Sequence, residues 1–293
     1  MVYSRQIKNI NMIKSPINYT GNKFSIINQL LPIFPNNINT FIDLFAGSCT
    51  VSVNASANNF LINDNITELI DLYGVILSTP TDILLETVGS RIDELSLSKT
   101  NEDGYLQLRR EYNSIRNPLD LFILSAYSFN HTIRFNNNKE FNSPFGRERS
   151  QYNKNTERNL ILFSEQLKEM KPSLCSFDYS RLDISSLSKF DFVYCDPPYL
   201  ITTATYNDGK RGFKGWNQDE ERKLLGLLDD LNENNIKFGL SNVLSHNGVE
   251  NTIINNWLRE NNFNVHQIEK NYRNSSYNKK HRGISIEVLI TNY

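Results

Sequence analysis

The sequence predicts an α/β fold with a mainly parallel β-sheet that is covered by helices on both faces. Three apolar runs, at 41–45, 60–63 and 190–195, have the length of buried strands, and helical patterns follow the first two. Near-continuous apolar strands are typical of parallel sheets, because both faces of such sheets are covered. The alternation of strands with helices therefore indicates βαβ units.

Length and composition are those of an ordinary soluble chain. It has 293 residues, of which 39% are hydrophobic, and no apolar run approaches the roughly 20 residues of a membrane span. Three cysteines and four scattered histidines show neither a disulfide framework nor the spacing of metal ligands. We therefore expect reduced thiols, no metal, no membrane contact and a cytoplasmic location.

The net charge of −1 conceals an uneven distribution of charge along the chain. Residues 1–42 and 270–282 carry basic side chains and no acid, and residues 131–158 carry more basic than acidic ones. Such segregation can give a neutral protein one positive face for nucleic acid. Scattered, solvated lysines would give the same counts.

The run Phe190 to Cys195 predicts a buried strand that stops at Asp196-Pro197-Pro198-Tyr199. Two prolines cannot extend a sheet and they restrain the backbone of a turn. At the carboxyl end of a strand, where α/β folds bind ligands, this turn offers a carboxylate, carbonyls and an aromatic face. These groups could accept two hydrogen bonds from an exocyclic amino group and stack on its ring. The alternative is a surface turn after a core strand.

A second candidate site lies where Phe41–Phe45 runs into a turn at Gly47 before a helix. A glycine lets backbone approach a ligand, and the N-terminus of a helix favours its negative charge. The next strand, at 60–64, ends in Asp64, near the spacing of about 20 residues at which an acid binds a ribose diol. Asp64 could instead cap the helix that follows it.

These motifs, in their order along the chain, resemble those of Dam-type DNA adenine-N6 methyltransferases, the D12 class, group alpha. The turn at 196–199 corresponds to the catalytic motif of that family, and Tyr19 to Lys23 resembles its first motif, an aromatic residue, two small ones and a lysine before a helix. The resemblance implies catalysis by Asp196, Pro197 and Tyr199, without a metal.

The family pattern Asp/Glu-x-Phe-x-Gly-x-Gly is matched at Asp43, Phe45 and Gly47, but Cys49 replaces the second glycine. By resemblance this departure places slightly more side chain beside the cofactor. The cofactor implied is S-adenosylmethionine, and the residues that the resemblance assigns to it are Tyr19, Lys23, Asp43, Phe45, Gly47, Asp64, Asp178, Tyr179 and Asp196. Tyr19 and Lys23 border either its methionine end or the target base.

The βαβ rhythm breaks between about 75 and 165, and a polar, aromatic and basic stretch at 129–147 resembles the target-recognition hairpin of Dam-type enzymes. Its other interpretation is a solvated, asparagine-rich loop. The resemblance places Asn130, Thr132 and Arg134 at the DNA. We expect Arg134 to read a base, because arginine can bind guanine O6 and N7 together. The positions assigned to DNA phosphates or positioning are Arg147, Arg149, Arg273 and Lys279.

The resemblance covers nearly the whole chain and supplies the architecture. It implies a seven-stranded, Rossmann-like methyltransferase sheet with an antiparallel last strand. We predict a catalytic domain at 1–75 and 166–293, interrupted at 76–165 by a mostly helical target-recognition domain that carries the hairpin. The implied function is transfer of a methyl group to adenine N6 in a short double-stranded site, with GATC as the first guess, by base flipping.

The same resemblance implies the partners of the protein and leaves two alternative functions. We expect a monomer, encoded by a bacterium or phage, whose restriction endonuclease partner, if present, acts separately. An RNA or protein-amide methyltransferase would share the sheet but usually carries Asn where Asp196 stands and lacks the hairpin. A catalytically inert DNA-binding module is the non-enzyme alternative, which the intact Asp196–Tyr199 turn opposes. Binding of S-adenosylmethionine would separate it from the others.

Overall fold

The computed structural model describes residues 12–202, 215–269 and 285–293, and in this part of the chain seven strands lie side by side in one sheet. Their order across the sheet is β3-β2-β1-β4-β5-β8-β7, and a further short strand, β6, pairs with the end of β5. The strands are β1 Ile38–Asp43, β2 Ala57–Asn63, β3 Ser173–Cys175, β4 Phe192–Cys195, β5 Lys237–His246, β6 Val249–Glu250, β7 Asn264–Ile268 and β8 Ser285–Thr291.

Strand directions agree with the predicted methyltransferase architecture. The first five strands of the order, β3 to β5, run parallel to one another, and β8 is antiparallel to both of its neighbours. The predicted fold class, a seven-stranded α/β sheet with an antiparallel last strand, is confirmed.

The pairing of β1 with β4 creates a topological switch point. From β1 the chain continues to β2 on one side, whereas β4 lies on the other and leads to β5. Asp43 is aligned with Tyr194, and the Leu44 amide donates to the Tyr194 carbonyl at 3.1 Å. A crevice opens at the carboxyl ends of strands where the order reverses in this way. The turns that follow β1 and β4 therefore lie side by side.

Helices cover both faces of the sheet, and asparagine side chains begin several of them. Asn217 accepts hydrogen bonds from the Asp219 and Glu220 amides at the start of α7. Asparagine is among the best N-cap residues because its oxygen satisfies amides that the first turn leaves unpaired. The helices are α1 Ile27–Leu30, α2 Thr67–Ser78, α3 Thr81–Glu94, α4 Glu102–Ile115, α5 Pro118–Tyr127, α6 Lys154–Met170, α7 Gln218–Glu233 and α8 Thr252–Glu260.

Alternating side chains of the strands supply two separate cores, one on each face of the sheet. In β8, Val288 and Ile290 pack in the core that contains leucines of α7, whereas Leu289 packs in the other core. That second core contains Phe41, Phe192 and the N-terminal segment around α1. Because side chains alternate along a strand, Glu287 in β8 shares the face of Leu289.

The inserted segment shares its core with the sheet domain. Tyr73 of α2, Phe122 of α5 and Phe163 of α6 belong to one hydrophobic cluster, and the rings of Tyr73 and Phe163 lie 5.7 Å apart. The predicted boundaries at 75 and 165 fall inside α2 and α6. The division into two domains stays a prediction.

The stretch predicted to form the recognition hairpin doubles back on itself with little regular strand. Two isolated antiparallel bridges join Ser128 to Phe145 and Phe135 to Phe141. At the tip, the Asn136 amide donates to the Glu140 carbonyl at 2.8 Å. Phe135 and Phe141 are both buried, so aromatic packing as well as backbone pairing holds this stretch against α4 and α5.

The predicted strand at Phe190 to Cys195 begins later than expected. β4 starts at Phe192, and Phe190 is 63% exposed. Asp191 explains the difference, because its carboxylate accepts the Thr40 and Ser188 amides and so ends a turn just before the strand.

Within the ranges that the structure covers, no helix is both long and apolar enough to cross a membrane.

Arg91 of α3 holds three acidic side chains of the insert, and its loss should destabilise the fold. Its guanidinium contacts Glu94, Glu111 and the buried Asp120 of α5. We expect Arg91→Met to lower the free energy of unfolding by about 3 kcal/mol, because Asp120 would keep a buried charge without its cation. Urea denaturation measures the change. Arg110→Met, at an exposed position of α4, is the control, and an equal loss in both variants would contradict this account.

Candidate active site

The turn after β1 requires glycine at position 47. Gly47 has a φ of +48°, and a Cβ there would lie 3.0 Å from Cδ1 of Tyr19. Its amide donates to Asp64 Oδ2 at 2.8 Å, and its carbonyl accepts the Tyr73 hydroxyl. The structure thus brings three predicted cofactor residues together, Tyr19, Gly47 and Asp64.

Asp64 is buried at the end of β2 and makes two backbone contacts. In addition to the Gly47 amide, it accepts the Ile66 amide through Oδ1 at 2.9 Å, just before α2. Burial raises the pKa of Asp64, and the two amides oppose that rise. The N-cap of α2 is Ile66, and no side chain caps this helix, so the helix-capping alternative for Asp64 is wrong. The predicted contact with a ribose stays a prediction.

Cys49, which replaces the second glycine of the family pattern, also adopts a left-handed conformation, with a φ of +60°. Its side chain is completely buried in the hydrophobic cluster of α2 and the insert. Burial raises the pKa of the thiol well above its usual value, so the thiol is neutral. The departure from glycine is accommodated within the protein core.

Asp43, at the end of β1, has a buried carboxyl group, and one of its oxygens has no hydrogen-bond partner in the part of the chain that the structure describes. Oδ2 accepts the Ser52 hydroxyl at 2.5 Å, while Oδ1 is buried and has no hydrogen-bond partner among the residues described. Burial raises the pKa of Asp43 to about 7; the Ser52 bond opposes the rise and the nearby Asp196 adds to it. An unpaired buried acceptor is costly, and such groups often mark functional sites.

Asp196 begins the turn after β4 and lies in a cluster of charged and polar groups. Its Oδ1 is 2.8 Å from the Lys23 ammonium and 3.1 Å from the Tyr199 hydroxyl. Burial raises the pKa of Asp196, and Lys23 opposes this rise. Lys23 is itself buried, and its ammonium also donates to the Gly21 carbonyl at 3.1 Å. Pro197 is buried directly after Asp196.

Three aromatic rings stand beside the glycine turn. Phe45 lies 5.3 Å from Tyr179 and 5.8 Å from Trp216 between ring centroids, and Tyr179 and Trp216 are 5.7 Å apart. Asp178, next in the chain to Tyr179, is exposed and accepts the Ser180 amide at 3.0 Å. The predicted cofactor residues Phe45 and Tyr179 are thus in contact.

The predicted DNA-contacting residues lie on the outside of the insert. Asn130 and Arg134 are exposed, whereas Thr132 is half-buried and donates through its hydroxyl to the Phe129 carbonyl at 2.9 Å. Asn130 has a φ of +55°, a conformation that asparagine tolerates better than most residues. Its carbonyl accepts the Asn18 side-chain amide at 3.0 Å, which joins this surface to the segment that carries Tyr19.

The other two predicted DNA-contacting arginines that the structure describes, Arg147 and Arg149, have contacts within the protein. Arg147 pairs with Glu102 at the start of α4. The Arg149 guanidinium lies over the ring of Phe129, 5.7 Å from its centroid. Arg273 and Lys279 lie outside the described residues.

Sequence reasoning missed Glu287 and Trp216. Glu287 contacts the cluster around Asp196, and its signal was a lone charge in the otherwise uncharged strand β8. Trp216 packs against Phe45 and donates through its indole to the buried Glu221. No motif marked this tryptophan.

Comparison with known proteins places the chain among DNA methyltransferases. A family model described as D12 class N6 adenine-specific DNA methyltransferase matches residues 19–274. The modification methylase StsI of Streptococcus sanguinis is 47% identical over 281 residues, which are 96% of this chain and 43% of that protein. The type II methyltransferase M.FokI of Planomicrobium okeanokoites is 46% identical over 286 residues, 98% of this chain and 44% of that protein.

A more distant relative is matched over most of its length. The DNA adenine methylase of Escherichia coli K12 is 27% identical over 234 residues, which are 77% of this chain and 79% of that protein. By contrast, the chain spans less than half of the StsI and M.FokI proteins.

The raised pKa of Asp43 predicts how stability depends on pH. The folded protein keeps the proton up to about pH 7, whereas the unfolded chain releases it near pH 3.9. Stability should therefore fall as pH rises between these values. We expect Asp43→Asn, which cannot ionise, to show a smaller fall in melting temperature between pH 5 and pH 8, measured by calorimetry. Parallel curves for the two proteins would show that Asp43 is ionised in both states.

Proposed function

We propose, because the chain belongs to the D12 class N6 adenine-specific DNA methyltransferase family, that it transfers a methyl group from S-adenosylmethionine to N6 of adenine in a short, specific site of double-stranded DNA. The observation that carries the proposal is the position of the Asp196–Tyr199 turn beside the glycine turn at the switch point of the sheet. A methyl donor bound at the glycine turn and a methyl acceptor bound at the Asp196–Tyr199 turn would be neighbours.

The residues at the glycine turn fit S-adenosylmethionine. Oδ1 of Asp43 is a buried acceptor with no hydrogen-bond partner in the part of the chain that the structure describes, and the lack of a side chain at Gly47 lets the Tyr19 ring lie against the turn. Asp64 would hold the ribose and Phe45 with Tyr179 would border the adenine. S-adenosylmethionine, when bound, supplies an electrophilic methyl group.

Asp196 and Pro197 would activate the target amino group. The lone pair of an adenine amino nitrogen is delocalised into the ring, so the group is a poor nucleophile. Hydrogen bonds from both N6 hydrogens to the Asp196 carboxylate and the Pro197 carbonyl would shift the nitrogen toward sp³ and localise that lone pair. Positive charge then develops on N6, and a fixed carboxylate in a site of low dielectric stabilises it.

Tyr199 would receive the target base outside the duplex. The Lys23 ammonium lies over its ring, 4.9 Å from the ring centroid. An adenine must leave the stack before its N6 can be reached. Stacking on an aromatic side chain, worth about 1–3 kcal/mol per base, would recover part of that cost.

The inserted segment would recognise the DNA sequence through Arg134, and Asn130 and Thr132 would contact the DNA beside it. Arg147 and Arg149, and Arg273 and Lys279 farther along the chain, would hold phosphates. GATC is our first guess for the sequence. The higher identity to StsI and M.FokI than to DNA adenine methylases favours a test that assumes no site.

We also propose a partner, a cellular location and an oligomeric state for the enzyme. Relatives named as modification methylases support a separately acting restriction endonuclease as partner in a bacterial cytoplasm. We expect the protein to act as a monomer.

The experiment that tests the function is single-base methylation mapping of plasmid DNA treated with the protein and S-adenosylmethionine. N6-methyladenine confined to one short sequence supports both activity and specificity. An unmodified plasmid, despite measurable cofactor binding, would contradict the proposal and favour an RNA substrate. Failure to bind the cofactor as well would favour an inert DNA-binding module.

Replacement of Asp196 should remove catalysis and spare DNA binding. We expect Asp196→Ala to lower the single-turnover methylation rate by at least about 100-fold, since it removes the charge that stabilises developing positive charge on N6. The dissociation constant for DNA, measured by fluorescence anisotropy, should change little. Asp230→Ala, at an exposed position of α7, is the control. Substantial turnover by Asp196→Ala would refute the role assigned to this carboxylate.

Arg134 and Arg149 should affect DNA binding in different ways. Loss of a bidentate base contact costs about 1–3 kcal/mol and relaxes specificity at one position. We therefore expect Arg134→Ala to methylate sites altered at one base pair. Arg149→Ala should weaken binding to all DNA sequences alike and reduce the salt dependence of binding. Sequencing of a randomised-site library and binding titrations at several salt concentrations measure both effects. Unchanged site preference in Arg134→Ala would rule out base reading by that side chain.

A further inference from the structure

Glu221 is a buried acid in the first turn of α7, and it is 1% exposed. Burial raises the pKa of Glu221, and hydrogen bonds to its carboxylate oppose the rise. The N-terminus of a helix also favours a negative charge. A buried charge is costly unless it is hydrogen-bonded, so the partners of this carboxylate indicate its role.

In the part of the chain that the structure describes, the side chains of three residues donate to this carboxylate. The Trp216 indole donates to Oε2 at 2.5 Å. The side-chain amides of Asn251 and Asn242 donate to Oε1 at 2.9 and 3.3 Å. Asn242 lies in β5, and Asn251 is the N-cap of α8. One oxygen of the carboxylate is therefore anchored to a strand and a helix, and the other holds the indole.

The bond to Glu221 selects one orientation of the Trp216 ring. An indole has one N–H donor, so the position of its acceptor restricts how the ring can turn. Trp216 is 7% exposed, and its ring plane makes an angle of 81° with that of Phe45, with the centroids 5.8 Å apart. An edge-to-face contact depends on the angle between the rings, so a turned indole would lose it.

The second ring beside Phe45 is bonded to the same turn of α7. The Tyr179 hydroxyl lies 3.0 Å from the Glu220 carbonyl and 3.1 Å from its carboxylate, and the Tyr179 ring also contacts that of Trp216. Phe45 is half-buried in the glycine turn, and its ring has no polar atom. Its orientation therefore depends on the rings around it, and two of these are bonded to α7.

We propose that Glu221 is a positioning residue for the cofactor, which acts through the Trp216 indole to fix the Phe45 and Tyr179 rings in the orientation that receives the adenine of S-adenosylmethionine. This inference rests on the proposed function, which assigns Phe45 and Tyr179 to that adenine. Rings that are already fixed need not be ordered when a ligand binds, and affinity rises accordingly. Glu221 itself takes no part in methyl transfer.

A double-mutant cycle with the full chain tests the inference through cofactor binding. Glu221→Met removes the carboxylate, and Trp216→Phe keeps an aromatic ring without the N–H. We expect Glu221→Met to weaken the binding of S-adenosylmethionine, measured by titration calorimetry, by about fivefold or more, because the rings must then be ordered on binding. In the Trp216→Phe background the same change should cost less than about twofold, since phenylalanine donates no hydrogen bond. Equal losses in both backgrounds would overturn the inference.

The fluorescence of Trp216 gives a readout that needs no cofactor. The chain has two tryptophans, so Trp257→Phe leaves Trp216 as the sole emitter. In that background, Glu221→Met should increase the quenching of indole emission by acrylamide about twofold or more, because a buried N–H without an acceptor is driven toward water. Glu221→Gln, which keeps one acceptor oxygen, should give a smaller increase. Unchanged quenching in Glu221→Met would show that packing alone holds the indole.

Two controls keep the outcomes separate. Glu233→Met, the same substitution at an exposed position of α7, should match the natural protein in both measurements. If the natural protein does not bind S-adenosylmethionine, the proposed function fails and this inference fails with it. Cofactor binding that does not depend on Glu221 would contradict this inference alone.

If Glu221→Met does not fold, Glu221→Gln replaces it in the cycle. Its amide group would face one of the N–H donors, so we expect a loss of cofactor affinity of about twofold or more in the natural background. No further loss is expected in the Trp216→Phe background. The same loss in both backgrounds would again contradict a role through the indole.

Discussion

The parallel pairing of β1 with β4 is the constraint on which the rest of the site depends. It joins two segments that are far apart in the chain and points their carboxyl ends in the same direction. The glycine turn at Gly47 and the Asp196–Tyr199 turn consequently open into one crevice. No side-chain contact between the turns is needed to keep them together, because backbone hydrogen bonds in the centre of the sheet do so.

Burial shapes the chemistry at this edge of the sheet. Asp43, Asp64 and Asp196 are all acids whose pKa is raised by burial. Each is held by groups that oppose the rise: a hydroxyl at Asp43, backbone amides at Asp64 and an ammonium at Asp196. In the strands that lead to Asp43 and Asp196, the rings of Phe41 and Phe192 lie 5.7 Å apart within one core.

The inserted segment is joined to the glycine turn through shared packing. Tyr73 bonds to the Gly47 carbonyl and also contacts Phe163, within the cluster that supports the insert. Asn18 joins the carbonyl of Asn130 to the segment of Tyr19. The inserted segment and the glycine turn therefore share one hydrophobic cluster, which fixes their relative position.

The sequence by itself determined the α/β class, the central strands and the residues of both turns, because strand periodicity, proline and glycine act over a few positions. Only the tertiary structure decided that β4 begins at Phe192, that Oδ1 of Asp43 has no partner among the described residues, and that Trp216 joins Phe45. It also placed Glu287 of β8 against Lys23 and Tyr199. The partner of a buried charge depends on which distant strands pair and in which register, and local periodicity carries no information about that.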